Sequence, residues 1–293
     1  MDPYTARPNY WKVFLTFASN SLVRDMTFRA NFIFQCISSV SWTAMNVGFY
    51  AIIFQFTKSI GEGTGWERDE FFLFLATTWF INSIVQAFFM SNAEEFSELI
   101  RTGGLDFALL KPIDTQFLIS FRRIEWSALS NFAAGLVIGG YSLYSMATRE
   151  ENPFIPPSAM WILYVFFVAC GVAIMYSVMI CLAATSVWLG RNQTLYDFWF
   201  YITNFSRYPM EIYNRGWGVA LLGLFTFVIP VLVVVNVPAR VLALPLGPLD
   251  PSDPRVSWEW PLAAWACVAT VGSLAFSRWL FRRSLLSYRS ASS

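Results

Sequence analysis

Six long stretches of this chain contain no Asp, Glu, Lys or Arg, and charged residues flank each of them: 30–57, 71–93, 126–148, 152–190, 216–239 and 260–277. They are 28, 23, 23, 39, 24 and 18 residues long, near or above the roughly 20 that a helix needs to cross about 30 Å of hydrocarbon. A charge at the centre of a bilayer costs at least ~2.5 kcal/mol, which explains why charge is confined to the boundaries. Lipid offers no partner to an open backbone group, so stretches of this length are expected to cross as helices. The fold class expected is all-α and polytopic: one membrane domain over 1–293, with six transmembrane helices at about 30–57, 71–93, 126–148, 158–190, 216–239 and 260–277. The fourth stretch exceeds one crossing, so part of it must tilt or protrude.

Composition agrees. At 56% hydrophobic and 13% charged, the chain holds about half the charge of an ordinary soluble globule. A net charge of +1 is no argument for a nucleic-acid partner, and none is expected. The first 28 residues lack an apolar run followed by a small-residue cleavage site, so no removable leader is expected. Instead Tyr10, Trp11, Phe14, Phe17, Ala18, Leu22 and Met26 recur at steps of three and four. That stripe predicts a helix within 1–28 lying in the membrane interface, starting after Pro8. Sorting the 20 basic residues by loop, with the N-terminus inside, puts most of them on the inner side. The positive-inside rule therefore places both termini in the cytoplasm, and the membrane expected is the cytoplasmic (inner) one.

Residues 94–125 form the longest charged stretch, an inner elbow between the second and third spans. Phe96, Leu99 and Ile100 give one amphipathic turn, and Gly103–Gly104 should end it. Leu105 to Leu110 forms a second short apolar piece closed by Pro112, and Asp114 is placed to cap the helix that becomes the third span. Gly135 and Gly139, at GxxxG spacing, suit close packing within the chain or a dimer seam. Residues 191–215 read as an inner interfacial helix broken at Pro209. The fifth span then starts near Gly216, with Pro230 inside it and Pro238 at its outer end as kink or re-entry residues.

Catalytic chemistry is not encoded in any recognisable form. The chain has no His, which removes the commonest general base and metal ligand together, and no metal site or catalytic residue is expected. Cys36, Cys170, Cys181 and Cys267 all lie in apolar stretches without redox or metal spacing and read as small buried hydrophobes. Neutral Asn46, Gln55, Asn82, Gln86, Asn131 and Asn236 are expected to make helix-packing hydrogen bonds. None of Lys12, Lys58 and Lys111 follows a glycine, so no P-loop is present. Any uphill transport must draw its energy from another chain.

The elbow sequence ELIRTGGLDFALLKPI, residues 98–113, resembles the corresponding loop of a six-span branch of ABC-2-type (type-2 ATP-binding-cassette) transporter permeases. RYP-MEIY at 207–213, FTFVIPVLVVVNVPARVL at 225–242 and RRSLLSYRSAS at 282–292 are similar to the same branch. The resemblance implies a permease subunit that binds no cofactor itself. It would work with two partner ATPase subunits that bind ATP and Mg, and with a second permease, identical or related. It also implies that the elbow is a coupling contact for the ATPase, which puts Glu98, Arg101, Gly103, Gly104, Asp106, Lys111 and Pro112 at or beside that contact, with Leu105, Leu109 and Leu110 keying it to the bundle. The function expected is export of a substrate by alternating access. The alternative is an ATP-independent secondary carrier or channel. Permeases of this type carry an outer re-entrant hairpin between spans five and six. That mapping would make 193–208 a short fifth span and put 209–257 outside, against the hydropathy reading preferred above.

Overall fold

The computed structural model describes residues 8–60, 66–150, 153–189, 193–243 and 256–288. Among them the chain is helical, with a single isolated antiparallel bridge between Ser59 and Glu67. Helix α1, Tyr10–Thr27, is capped by Asn9, whose side chain accepts from the Lys12 amide. Helix α2, Arg29–Phe56, follows almost without interruption. Helix α3, Arg68–Val85, passes through a π-helical turn, Gln86–Met90, into α4, Ser91–Arg101. The elbow continues with α5, Gly104–Leu109, and α6, Thr115–Phe121. Then come α7, Leu129–Ala147, α8, Ser158–Leu189, and α9, Gln193–Asn204. Helix α10, Gly218–Gly223, runs through a second π-helical turn, Leu224–Val228, to a sharp corner. Helices α11, Val231–Ala243, and α12, Val256–Ser287, complete the chain.

Four helical segments are long and apolar enough to cross a membrane: Arg29–Phe56, Arg68–Arg101, Ser158–Trp188 and Trp260–Ser287. A fifth is obtained if Gly218–Val228 and Val231–Ala243 count as one broken span. Helix α7, with its Ser, Asn and Tyr positions, lies antiparallel along α3 over its whole length.

Helix α3 is the spine. Fourteen of its residues, among them Phe71, Leu73, Phe74 and Ile81, are buried, whereas only Thr43 is buried on α2. Lipid supplies no hydrophobic drive between helices, so packing rests on small residues that let backbones approach. Gly135 lies on the Phe80 ring, where an added Cβ would stand 3.0 Å from Cε1, and Gly139 faces Ala76. The GxxxG pair thus packs within the chain. Gly171 of α8 is tighter still, since a Cβ there would stand 2.7 Å from the Val234 carbonyl oxygen of α11. Polar pairs add to these seams: Thr77 Oγ1 lies 3.0 Å from the Tyr164 hydroxyl, and Thr43 donates to Asn131 Oδ1 between α2 and α7. The four cysteines are free.

The break expected at Pro230 is a sharp one: at Ile229–Pro230 the two helices meet at 87°, because proline has no N–H to continue the ladder and pushes the preceding residue out of helical geometry. Pro238 lies inside α11 rather than at an outer end. Residues 208–211, part of the stretch read from hydropathy as an inner interfacial segment, are held at the end of α3 opposite the elbow. Tyr208 and Met210 bond to Asn236, and Glu211 bonds to Trp66 Nε1 and to Arg240. Trp66 lies just before α3 starts, at the end of the bundle opposite the elbow. The chain therefore returns along the bundle through α9, about 18 Å long at 1.5 Å per residue, and α10 and α11 leave from and come back to that far end.

The contact at Gly171 yields a paired test. Gly171→Ala should destabilise the purified protein by about 1–3 kcal/mol through overpacking. Gly140→Ala, with nothing within 4 Å of the new methyl, should leave thermal unfolding in detergent almost unchanged.

Candidate functional site

The elbow is the most elaborated polar structure in the bundle. It begins where α4 stops: Gly103 adopts φ +73°, a left-handed conformation that ends helices and that side chains other than glycine avoid. Gly104 packs closely beneath it, with Leu99 Cδ2 3.0 Å from where a Cβ would stand. In α5, Leu105 and Ala108 turn inward and are buried, while Phe107 is 74% exposed. The next residue after α5, Leu110, is 82% exposed, and Leu109 is partly open. The three leucines expected to key the elbow therefore divide: helical period lets Leu105 face the bundle with Ala108, and turns Leu109 and Leu110 away. Lys111 and Pro112 are exposed beside Leu110. One turn back, Arg101 makes a two-point ion pair to Glu98 on the surface of α4, and Asp106 lies within reach of the Tyr288 hydroxyl on the chain after α12.

The back of the elbow is anchored. Asp114 caps α6 by accepting from the Phe117 amide at 3.0 Å. The capped helix is short, however: it ends at Phe121, and α7 begins only after 122–128. Asp114 also holds Arg278 of α12 through both carboxylate oxygens. Arg278 Nη1 donates to Gln116 Oε1 at 2.8 Å, and Gln116 Nε2 donates to the Tyr176 hydroxyl of α8 at 3.0 Å. Ser120 Oγ lies 2.9 Å from the same hydroxyl. Phe96 of α4 packs on Phe281 of α12 with centroids 5.6 Å apart. The elbow is thus linked by charge-assisted and neutral hydrogen bonds to both long helices that lead away from it.

The bond to Arg278 holds the Asp114 carboxyl below the usual carboxylate range, against the opposing effect of partial burial. A depressed carboxyl stabilises the fold at pH values above its unfolded value, and this contribution is lost as pH falls through the lowered one.

The far end carries two further ion-pair groups that sequence reading missed. Arg149, just past α7, reaches the start of α3, donating to Glu70 Oε1 at 2.8 Å and Oε2 at 3.1 Å, and to Asp69 Oδ2 at 3.0 Å. Ser145 Oγ donates to the same Asp69 oxygen at 2.7 Å, and Ser142 to the Asp69 carbonyl. The available signal was the opposite charge at the abutting ends of two antiparallel spans. The Arg240–Glu211 pair, with Trp66 Nε1 on the other Glu211 oxygen at 3.1 Å, joins the two limbs of the segment that turns at Pro230. Pro209 immediately precedes its first turn, Met210–Tyr213.

Among the described residues no cluster of three or more His, Cys, Asp or Glu is placed to hold a metal. What the arrangement offers is mechanical: an exposed apolar and charged knob at one end, a buried spine, and ion pairs tying helix ends together at the other. The family model described as ABC-2 family transporter protein matches residues 40–292, which takes in the elbow, the far-end groups and all helices from the middle of α2 onward. No curated protein and no solved structure matches the chain.

Replacing Asp114 by Asn retains the cap and removes the charge. Asp114→Asn should lower the melting temperature at pH 7 relative to the unsubstituted protein, and the gap should narrow as pH is taken toward about 3; thermal scans across that range check it.

Proposed function

Because the chain belongs to the ABC-2 family of transporters, which makes it the membrane component of a transporter working with an ATP-binding subunit, we propose that it is the permease of an ATP-driven exporter. The observation that carries this reading is the elbow. Phe107 and Leu110 stand out from it by 74% and 82%, on a base tied to α8 and α12 through Arg278, Gln116 and Tyr176. Large exposed apolar side chains rimmed by charge mark a docking surface. The docked partner here is the ATPase, which holds ATP and Mg, while this chain contributes no nucleotide site. Closure of the ATPase pair would push on the elbow, and the Asp114–Arg278 and Gln116–Tyr176 bonds would pass the displacement to α12 and α8.

In this reading the elbow end is cytoplasmic, as are both chain termini, and the membrane is the cytoplasmic one. Helices α2, α3, α7, α8, α9 and α12 make the six crossings, α1 lies in the inner interface, and α10 with α11 forms a re-entrant hairpin on the outer side. Two permeases, alike or related, pair with two ATPases. The far-end ion pairs of Arg149 and Arg240 hold the outer side shut until the bundle rearranges, which is alternating access. The residues named from the sequence keep separate roles. Gly103 and Gly104 shape the knob, and Lys111 and Pro112 lie on its face with Glu98 and Arg101. Asp106 supports it from the side, and Pro209, Pro230 and Pro238 shape the hairpin.

Two measurements test this. Phe107→Glu with Leu110→Glu should reduce co-purification of the ATPase at least tenfold, the loss of a docking hot spot of about 2 kcal/mol or more, without changing the thermal unfolding of the permease. Unchanged association rejects the elbow as the contact. Single cysteines placed at Tyr208 and at Leu110 should be labelled by an impermeant thiol reagent from opposite sides of intact cells, Tyr208 from outside; labelling of both from one side rejects the topology.

A further inference from the structure

The far end holds several arginines, and they differ in how their charge is met. Arg149 is 28% exposed and lies against Asp69 and Glu70; Arg240 is 12% exposed and lies against Glu211. Arg68 pairs with Asp69, and Arg215 is exposed to solvent. Arg207 is the exception. It is partly buried in the turn that follows α9, Phe205–Arg207, yet among the described residues no carboxylate reaches it and no hydrogen bond is made by its guanidinium. Its neighbours are aromatic. The Cζ atom stands 5.3 Å above the centroid of the Phe200 ring, and the Tyr50 and Tyr208 side chains are close enough to act on its charge. Tyr50 is itself held against Phe71, with ring centroids 4.7 Å apart.

A guanidinium has five N–H donors and stays charged. Withdrawing it partly from water without an anion is unfavourable, and a ring face meets only part of the demand. We propose that Arg207 is the anion-binding residue of a ligand site at the outer end of the bundle, taking the phosphate or carboxylate of an amphipathic molecule whose apolar body lies against Phe200, Tyr50 and α2. The geometry favours an oxyanion because a planar fork pairs with one at two points. It favours an apolar body because the walls are ring faces. This deepens the permease reading, on which it rests, by naming the chemical class of the molecule handled at that end. The phosphate has two sources, a lipid headgroup or a free anion, and the probes below separate them.

The test is calorimetric titration of the full-length permease, purified without its ATPase in dodecyl maltoside, with dodecyl phosphate, dodecanol and inorganic phosphate in turn. Dodecyl phosphate should bind at least about tenfold more tightly than dodecanol, the margin expected of a charge-assisted two-point contact. Arg207→Gln should abolish that preference, Arg207→Lys should keep part of it, and Phe200→Leu, which leaves the charge in place, should weaken dodecyl phosphate binding. Inorganic phosphate binding as tightly as dodecyl phosphate overturns the proposal, because the apolar body would then add nothing and the anion would be a free one. Equal affinity for dodecanol and dodecyl phosphate overturns the proposal. So does full retention of dodecyl phosphate affinity by Arg207→Gln, or by Arg207→Lys and Phe200→Leu together if the glutamine variant does not fold. ATPase co-purification is read separately, so loss of the elbow contact and loss of this site are distinguishable.

Discussion

The burial of α3 on nearly every side is the constraint from which the remaining arrangement follows. A helix that presents Phe71, Phe74, Ile81 and Val85 inward, with relative exposures at or near zero, needs neighbours around its circumference. Helix α7 approaches through Gly135 and Gly139. Helix α8 approaches through the Thr77–Tyr164 bond, and α11 fills the remaining side, with Val234 and Ile81 both meeting the notch at Gly171. Helix α11 can occupy that position only because the chain turns at Pro230 rather than running on. A straight fifth span would carry Val231 to Ala243, now almost entirely buried, away from the spine. Close backbone contact and interhelical hydrogen bonds hold such a cluster where the solvent is as apolar as the side chains.

The first half of this architecture was legible because charge and helix end coincide there. Arg29 opens α2 and Phe56 closes it just before Lys58; Leu129–Ala147 fits between Glu125 and Arg149. Gly103 stopped α4 as its backbone freedom requires. Hydropathy left the course of 193–243 open for a physical reason: it sums transfer preferences along the chain and contains no information on where the chain reverses. A short helix shielded by protein, such as α9 with Trp199 and Ile202 buried, needs less apolar length than one facing lipid. The corner at Pro230 carried a signal of its own, and Glu211 and Arg240 were two opposite charges awaiting a fold that brings them together. The relay behind the elbow was hidden more deeply, since Asp114 and Arg278 stand 164 positions apart. Asp114 was singled out as a cap and does cap, but sequence spacing carried no hint that the same carboxylate also holds α12.

The π-helical turn at Gln86–Met90 divides the continuous segment from Arg68 to Arg101 into two unequal arms. At 1.5 Å per residue, α3 is about 27 Å long and α4 about 17 Å. Such wide turns are places where long helices bend. The start of α3 holds Asp69 and Glu70, so the longer arm ends on the carboxylates that grip Arg149. One unbroken run of backbone therefore begins at the carboxylates that grip Arg149 and ends at the glycine corner, so the two ends of the bundle share a single helical strut.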